Sequence, residues 1–460
     1  MGIEAGPSVS QVRKMAAQLL YEILENGAYA NLALDKAFKK ASLSAQEKNL
    51  LTEMVNGTVR MLKHLDWVLK SFLKGSIDKQ HPWLRNIMRI SLYQIMFMDS
   101  IPDYACVNDA VELTAWKSNR NLAKVCNGVL RNVIRNRDNL DYPGEDSKDY
   151  LAIYYSHPEW MVEFFLNAYG YEQTKRLLSY NNIRPKVSLR SNFLKTSRDE
   201  LLTTLLNEGC QAQASTSTPW GITVISMEKA ISEMKAYQQG LFYVQNDASM
   251  LAAAILDPCE GDLVLDLACG VGGKSTHLAE CMNNNGRILA IDQYEQKIKL
   301  LNKNCSRLGI TIVEAMAMNI LDITPESFNA GHILLDAPCS GLGVLNRRSD
   351  SRWRKNINEI KELTGLQAAL LVKASQMLNN NGLLLYSTCT INRSENEEIV
   401  NWFLAKHTDF QLESFDEKLS FFPLDSSDRE SAAAGMLTII PGKYRSDGMF
   451  YALMRRKPIC

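Results

Sequence analysis

The chain has 460 residues, 46 % of them hydrophobic, which is enough for two or three domains with sizeable cores. Its 51 basic and 51 acidic residues cancel overall, but residues 1–140 hold 19 Lys and Arg against 13 Asp and Glu. A basic N-terminal part fits contact with a polyanion, although ordinary solvated surfaces often carry the same excess.

The sequence contains no apolar run of about 18 residues and no apolar N-terminal segment. We therefore expect a cytoplasmic protein with neither a signal peptide nor a membrane span. The ten cysteines form no Cys-x-x-Cys pair and accompany no histidine cluster, so no metal site is expected. In the cytoplasm these thiols stay reduced and available for chemistry.

Residues 9 to about 140 predict an all-helical region. Apolar residues at helical spacing mark a helix over Gln11 to Leu24, and Ser44-Ala-Gln-Glu47 is a capping box that opens another. Prolines and polar residues separate further helices, which are expected at 64–74, 83–98, 106–117 and 121–136.

This helical region resembles the NusB-type RNA-binding fold. The stretches that carry the resemblance are Leu92-Tyr-Gln-Ile95, Val107-Asn-Asp-Ala-Val-Glu-Leu113 and Cys126-Asn-Gly-Val-Leu-Arg-Asn132. The resemblance implies an RNA-binding domain over residues 1–140, in which Arg131, with Arg135 and Arg137, contacts phosphates. A solvated helix face explains these arginines equally well.

A change of composition follows, and Asp141-Tyr-Pro-Gly-Glu-Asp146 is expected to be a linker. His157-Pro-Glu-Trp160 starts a helix, 184–190 suits a strand, and Thr196-Ser-Arg-Asp-Glu200 caps a second helix. Residues 141–240 therefore predict a small α/β subdomain. It either faces RNA or covers a flank of the next domain.

Residues 241–460 alternate strands and helices in the manner of a doubly wound, Rossmann-like sheet. Strands are expected at 263–267, 287–291, 311–316, 332–336 and 382–387, with a late antiparallel pair at 436–440 and 449–454. Helices are expected at 273–284, 294–307, 356–379 and 394–406. Ligands of such sheets bind beyond the carboxyl ends of the strands, where the chemically interesting side chains of this sequence fall.

The first of these strands ends in Asp266, and a glycine-dense turn joins it to a helix. The turn is neither the GxGxxG dinucleotide motif nor the GxxxxGK[ST] phosphate loop. It resembles the acid-x-x-x-Gly-x-Gly turn of S-adenosylmethionine-dependent methyltransferases, with a generic tight turn as the alternative. The cofactor contacts that this resemblance implies are Ala268, Cys269, Gly270, Val271, Gly272, Gly273, Lys274 and Asp336.

Two further cofactor contacts are expected after the second and third strands. Asp292 stands where a carboxylate accepts hydrogen bonds from ribose hydroxyls, although it could instead cap a helix. Asn319 stands where methyltransferases usually place an acid beside the adenine, so an amide there is a departure.

Asp336-Ala-Pro-Cys-Ser-Gly-Leu-Gly343 and Tyr386-Ser-Thr-Cys-Thr390 are more specific motifs. They resemble the RNA cytosine-C5 methyltransferases, and the NusB-like region points to the bacterial 16S ribosomal RNA branch, the Fmu/Sun (RsmB-like) type. Flanking stretches that extend the resemblance are Gln245-Asn-Asp-Ala-Ser249, Asn346-Arg-Arg-Ser-Asp-Ser-Arg-Trp353, Ser394-Glu-Asn-Glu397 and Asp447-Gly-Met-Phe-Tyr451. One departure is Ala268-Cys-Gly-Val271, where relatives more often have Cys-Ala-Ala-Pro.

The resemblance implies a role for each cysteine. Carbon 5 of cytosine is a poor nucleophile, and addition of a thiolate to carbon 6 makes carbon 5 able to attack a methyl donor. By the family pattern Cys389 is that nucleophile and Cys339 assists proton removal or release. DNA cytosine methyltransferases use the cysteine of their Pro-Cys pair instead, so Cys339 is a rival nucleophile. A small buried hydrophobe is the usual alternative for either thiol.

Three further sets of residues complete the expected site. Asp336 would hydrogen-bond the base and act as the acid at ring nitrogen 3. Lys274 would lower a thiol pKa or orient the base, unless it merely caps local carbonyls. Arg347, Arg348 and Arg352 would grip phosphates beside a cytosine turned out of its stack, with surface solvation as the alternative.

The sequence thus predicts a monomeric enzyme that methylates carbon 5 of a cytosine in 16S ribosomal RNA, free or in a partly assembled small subunit. Neither DNA nor a membrane is expected as a partner. Two alternatives are a transfer RNA methyltransferase and a catalytically silent RNA-binding assembly factor.

Overall fold

The computed structural model describes residues 9–325 and 328–458. Its helices are α1 (Gln11–Leu24), α2 (Ala30–Lys40), α3 (Ala45–Arg60), α4 (Leu62–Phe72), α5 (Pro82–Phe97), α6 (Asp103–Lys117), α7 (Arg120–Asn136), α8 (Lys148–Tyr154), α9 (Glu159–Asn182), α10 (Arg198–Asn207), α11 (Lys235–Gln238), α12 (Asp247–Leu256), α13 (Gly273–Cys281), α14 (Glu295–Leu308), α15 (Ser351–Arg354), α16 (Ile357–Gln376), α17 (Glu397–Lys406) and α18 (Ser426–Ala433).

Its strands are β1 (Ser188–Ser191), β2 (Cys210–Ala214), β3 (Gly221–Met227), β4 (Phe242–Val244), β5 (Leu263–Leu267), β6 (Arg287–Asp292), β7 (Val313–Ala317), β8 (Ala330–Asp336), β9 (Leu378–Thr388), β10 (Phe410–Leu412), β11 (Met436–Ile439) and β12 (Met449–Arg456). None of the helices in the described ranges is long and apolar enough to cross a membrane.

The residues form two compact units. Among the described residues, one unit comprises 9–184 together with 345–355, and the other comprises 185–325, 328–344 and 356–458. The predicted three-part division at 140 and 240 is finer than this one and stays a prediction.

The first unit is helical, as predicted for its N-terminal part. The capping box is present, since Ser44 Oγ accepts from the Glu47 N–H and the Glu47 carboxylate accepts from the Ser44 N–H. The observed bounds of α4 to α7 lie within three residues of the expected ones. Helix α2 was not among the predicted elements, and α9 is interrupted at Gly170, where φ is +71°.

Residues 345–355, here called the anchor segment, pack into this helical unit although they follow the Cys339 loop in sequence. Asp350 accepts a hydrogen bond from the Ala30 N–H at the start of α2, at 3.2 Å. The Trp353 indole donates to the Val59 carbonyl at 2.7 Å. The anchor segment thereby supplies both a helix cap and core contacts to helices made more than 290 residues earlier.

The second unit contains two sheets. The small one has the strand order β2-β3-β1-β4 and is antiparallel, and α10 follows its capping residue Ser197 as predicted. The large one has the order β10-β12-β9-β8-β5-β6-β7, with β11 paired to β12. Strands β5 to β9 are parallel, and β12 is antiparallel to β9 and to β11, so the doubly wound sheet and the late antiparallel pair are confirmed.

Strand β5 lies inside the unit with both of its faces covered by apolar side chains. Leu265 and Leu267 enter the core on one face of the sheet, and Val264 enters the core on the other. A parallel strand with both faces covered is read in sequence as one continuous apolar run. The polar exception within that run is Asp266, which is also fully buried.

Candidate active site

Four segments meet at the carboxyl ends of β5, β6, β8 and β9, as the strand pattern predicted. Leu267 pairs with Leu335 across β5 and β8, and Asp336 pairs with Ser387 across β8 and β9. This register brings the glycine turn, Asp336 and the loops of both cysteines to one edge of the sheet.

The turn after β5 depends on left-handed backbone. Ala268, Gly270 and Gly272 have φ of +63°, +60° and +88°, and α13 begins immediately afterwards. A Cβ on Gly272 would lie 2.6 Å from Leu301, whereas no atom of the described residues lies within 4 Å of the corresponding position at Gly270. The backbone is therefore open to close approach at Gly270.

Asp266 lies at the base of this turn. One carboxylate oxygen accepts from the Ser275 hydroxyl at 2.5 Å, and the other has no hydrogen-bond partner among the described residues. Burial raises the pKa of Asp266 to about 7, against the opposing effect of the Ser275 hydrogen bond. A buried polar atom left unsatisfied in this way marks a place where a ligand donor is expected.

Asp292 and Asn319 both make local hydrogen bonds. Asp292 accepts from the Gly270 N–H at 3.1 Å, from the Tyr294 N–H at 3.0 Å and from Lys297 at 2.9 Å, so it fixes the turn and the start of α14. The exposed Asn319 accepts from the Leu321 N–H at 3.2 Å and caps a short 3-10 turn. Their contacts with ribose and adenine stay predictions.

Lys274 and Asp336 form an ion pair of 2.5 Å. The Ser387 hydroxyl donates to the other oxygen of Asp336 at 2.9 Å. Lys274 is mostly buried, whereas about a third of the Asp336 side chain is exposed, so the carboxylate can still meet a substrate. Pairing with Asp336 was not among the roles predicted for Lys274, and the effect of Lys274 on a thiol or a base stays a prediction.

The two cysteines lie side by side, with 3.3 Å between their sulfurs, and both are partly exposed. Their loops are joined by backbone hydrogen bonds from Ala337 N to Ser387 O at 2.8 Å and from Gly343 N to Cys389 O at 3.0 Å. The pKa of the Cys339 thiol is raised well above its usual value, first by its hydrogen bond to Cys389, then by burial and by nearby negative charge.

Two buried charged residues near this edge were missed as site residues by the sequence reasoning. Glu395, within the Ser394-Glu-Asn-Glu397 stretch, hydrogen-bonds to residues beside both cysteines. Arg190 of β1 reaches the Gly273 carbonyl at 2.7 Å and Glu280 at 2.7 Å, and so ties the small sheet to α13. Neither residue stands out in sequence, because Glu395 lies in the polar run 392–398 and Arg190 lies in a stretch that mixes polar and apolar residues.

The predicted RNA-binding arginines differ in exposure. Arg131 on α7, Arg347 and Arg348 are exposed. Arg352 is fully buried and donates to the Ser156 carbonyl at 3.1 Å and the Asn181 carbonyl at 2.8 Å. The prediction that Arg352 grips phosphates is therefore wrong, because its guanidinium stabilises the helical unit instead.

The chain fits S-adenosylmethionine at the turn after β5. The unsatisfied oxygen of Asp266 is an acceptor for a donor group, and the backbone at Gly270 leaves room for a bound molecule. The side chain of Val271, which lies between the two glycines, is exposed.

Comparisons with known proteins cover nearly the whole chain. Three family models match: NusB family over residues 10–135, the ferredoxin-like domain of RsmF/B-like methyltransferases over 157–229, and 16S rRNA methyltransferase RsmB/F over 253–455. The chain is 35 % identical to the "Probable ribosomal RNA small subunit methyltransferase B" of Bacillus subtilis, over 97 % of this chain and 99 % of that protein. It is 33 % identical to the protein of the same name from Synechocystis, over 96 % and 99 %.

A solved structure is also similar over nearly the full length. The crystal structure of PH0851 superposes with a TM-score of 0.80 at 26 % identity, covering 98 % of this chain and all of that one. The predicted fold class, which combines a helical region, a small α/β subdomain and a Rossmann-like domain, is thus confirmed.

Proposed function

Because this chain belongs to the 16S rRNA methyltransferase RsmB/F family and is an S-adenosylmethionine-dependent RNA methyltransferase, we propose that it methylates carbon 5 of a cytosine in 16S ribosomal RNA through a covalent bond to Cys389. The observation that carries the proposal is the pair of sulfurs 3.3 Å apart at the sheet edge that also holds Asp336 and the glycine turn.

The hydrogen bond between the sulfurs supports Cys389 as the nucleophile. The pKa of the Cys339 thiol is raised well above its usual value, and the two sulfurs lie 3.3 Å apart. In our proposal Cys339 keeps its proton and donates a hydrogen bond to Cys389, which reacts as the thiolate after its own proton passes to water. The Cys389 thiolate then adds to carbon 6 of the cytosine, and the electron pair of the 5,6 double bond moves toward carbon 5.

Asp336 and Lys274 supply the acid for this addition. A proton held in their ion pair passes through Asp336 to ring nitrogen 3 as the carbon–sulfur bond forms, and it returns when the adduct breaks down. When bound, S-adenosylmethionine supplies an electrophilic methyl group on a sulfonium.

Release of the product reverses the addition. The proton on carbon 5 leaves to water, the bond between carbon 6 and sulfur 389 breaks, and Cys389 departs as thiolate. The Cys339 S–H, at 3.3 Å, hydrogen-bonds to that departing sulfur and stabilises its charge.

The target nucleotide must leave its stack to meet both thiolate and methyl donor. We assign phosphate contacts to the exposed Arg131, Arg347 and Arg348. We further propose that the enzyme acts in the cytoplasm, where neighbouring thiols stay reduced and ribosomal RNA is its partner, and that it is a monomer.

Trapping with 5-fluorocytosine tests the nucleophile. Carbon 5 of that base cannot lose fluorine as a cation, so the adduct persists on a denaturing gel. The intact protein should form this complex and Cys389→Ser should not. Cys339→Ser should form it, and with ordinary RNA it should release the methylated product slowly. A complex that persists in Cys389→Ser but vanishes in Cys339→Ser would reverse the assignment.

A labelled-methyl assay tests the substrate. Total RNA from cells that lack the enzyme should accept label in 16S ribosomal RNA, at carbon 5 of one cytosine. Label in transfer RNA would favour the first alternative, and no label in any RNA would favour a silent assembly factor.

A further inference from the structure

Glu395 connects the loops of the two cysteines. Its carboxylate is fully buried and lies in the short 3-10 turn that precedes α17. One oxygen accepts from the Ser340 N–H at 2.7 Å, and the other accepts from the Ser340 hydroxyl at 2.5 Å and the Thr390 hydroxyl at 3.3 Å. Ser340 directly follows Cys339 and Thr390 directly follows Cys389, so one carboxylate holds the neighbour of each sulfur.

The remaining contacts make this network rigid. Gln367 of α16 donates to Glu395 at 3.1 Å and to the Pro338 carbonyl at 2.9 Å, and Asn392 donates to Glu395 at 3.0 Å. The hydroxyls of Ser340 and Thr390 also lie 2.8 Å apart. Every one of these partners except Pro338 is buried, so water cannot replace a lost acceptor.

We propose that Glu395 is a positioning residue for the methyl-transfer reaction, because it clamps the two cysteine loops so that the sulfurs stay in contact. Its negative charge also favours the protonated form of Cys339. The proposal rests on the function proposed above. Glu395 hydrogen-bonds to Ser340 and Thr390, and it acts on the two cysteines through these neighbours.

The electrostatic part follows from the groups that face Cys339. Cys389, Glu395 and Asp336 each raise the pKa of the Cys339 thiol, and Asp336 is itself paired with Lys274. Tyr386 is buried nearby and has a pKa raised well above its usual value, so it stays neutral. Asp336 has less effect on Cys339, because Lys274 neutralises its charge. Glu395 therefore supplies more of the negative charge that acts on the Cys339 thiol.

The test compares Glu395→Gln with the matched control Glu398→Gln, which makes the same change at an exposed position three residues on. Misplacing reacting groups by about 1 Å can cost roughly 10²-fold in rate, so Glu395→Gln should lower kcat by roughly that factor with an unchanged KM for 16S RNA extracted from cells lacking the enzyme. Removing the negative charge should also move the alkaline limb of the pH–rate profile to lower pH. Glu398→Gln should match the intact protein in both measurements.

A second variant separates geometry from charge. Thr390→Val removes the hydroxyl that joins the Cys389 loop to the network but leaves the carboxylate in place. It should lower kcat without moving the alkaline limb, and it serves as the test of the clamp if Glu395→Gln does not fold, as judged by circular dichroism. A kcat within threefold of the intact protein in Thr390→Val, or an unmoved alkaline limb in a folded Glu395→Gln, would overturn the inference.

Failure of this inference differs from failure of the proposed function. If the intact protein forms no Cys389 adduct with 5-fluorocytosine RNA, the function fails whatever Glu395 does. If the intact protein forms the adduct and Glu395→Gln forms it at the same rate with the same pH dependence, only the role of Glu395 fails.

Discussion

Replacing Arg190 with methionine should destabilise the unit that contains both sheets. The Arg190 guanidinium is fully buried and donates to Gln245, to the Gly273 carbonyl at 2.7 Å, to Thr276 at 3.0 Å and to Glu280 at 2.7 Å. Removing one partner of a buried ion pair typically costs 3–5 kcal/mol, because the other charge stays buried and alone. We expect a loss of about 4 kcal/mol at pH 8.

The pH dependence of that loss follows from Glu280. Its pKa is already about 7, since burial outweighs the lowering effect of Arg190, and removing Arg190 raises it further. The Glu280 carboxyl of the folded variant is therefore protonated at pH 6. At pH 8 this carboxyl is ionised in the unfolded chain, so folding must take up a proton, and this costs free energy. The stability of Arg190→Met relative to the intact protein should fall as pH rises from 6 to 8.

Urea unfolding followed by circular dichroism measures both effects in the full chain. The double variant Arg190→Met with Glu280→Met is the control, because replacing a whole buried pair by apolar side chains is often neutral. It should recover most of the lost stability and show no such pH dependence. A loss below about 1 kcal/mol in Arg190→Met, or no recovery in the double variant, would refute the reasoning.

Three other predictions concern the site. Lys274→Met leaves Asp336 without its proton source and should lower methyl transfer by roughly 10²-fold in the labelled-methyl assay, and a change below threefold would contradict its role. Gly343→Ala should cost roughly 1–3 kcal/mol in thermal unfolding, because its Cβ would lie 2.5 Å from the Gly448 carbonyl oxygen, and an unchanged melting temperature would contradict this. Asp266 has a pKa raised to about 7, so its contribution to stability is present at low pH and lost as pH rises through 7. The intact protein should therefore lose stability relative to Asp266→Asn between pH 5 and pH 8, and a constant difference would contradict the assignment.

The sequence was sufficient where local pattern determines structure. The parallel strands appear as short apolar runs because both faces are covered, and their ends place Asp336, Cys339 and Cys389 on one edge. The start of β9 was less visible. Leu378-Asn-Asn-Asn-Gly382 has the composition of a turn, yet the structure extends the strand back to Leu378.

Contacts between distant residues explain what sequence could not show. Helix α2 has no side-chain cap of its own, and Asp350, 320 residues later, accepts from its first N–H. Arg352 has the same local signal as the exposed Arg347 and Arg348, and only the packing of α15 shows that it is buried. The role of Glu395 is likewise visible only in the structure, where it contacts Ser340 and Thr390 in the loops of the two cysteines.

The anchor segment has a consequence for how the protein is made. The ribosome synthesises residues 1–184 long before residues 345–355, which complete the same compact unit. Until then the first N–H of α2 lacks Asp350, and the carbonyls of Val59 and Asn181 lack the donors of Trp353 and Arg352. The helical unit therefore emerges unfinished during translation and closes only after the Cys339 loop has been made, so the maturation of the two units is linked by chain order.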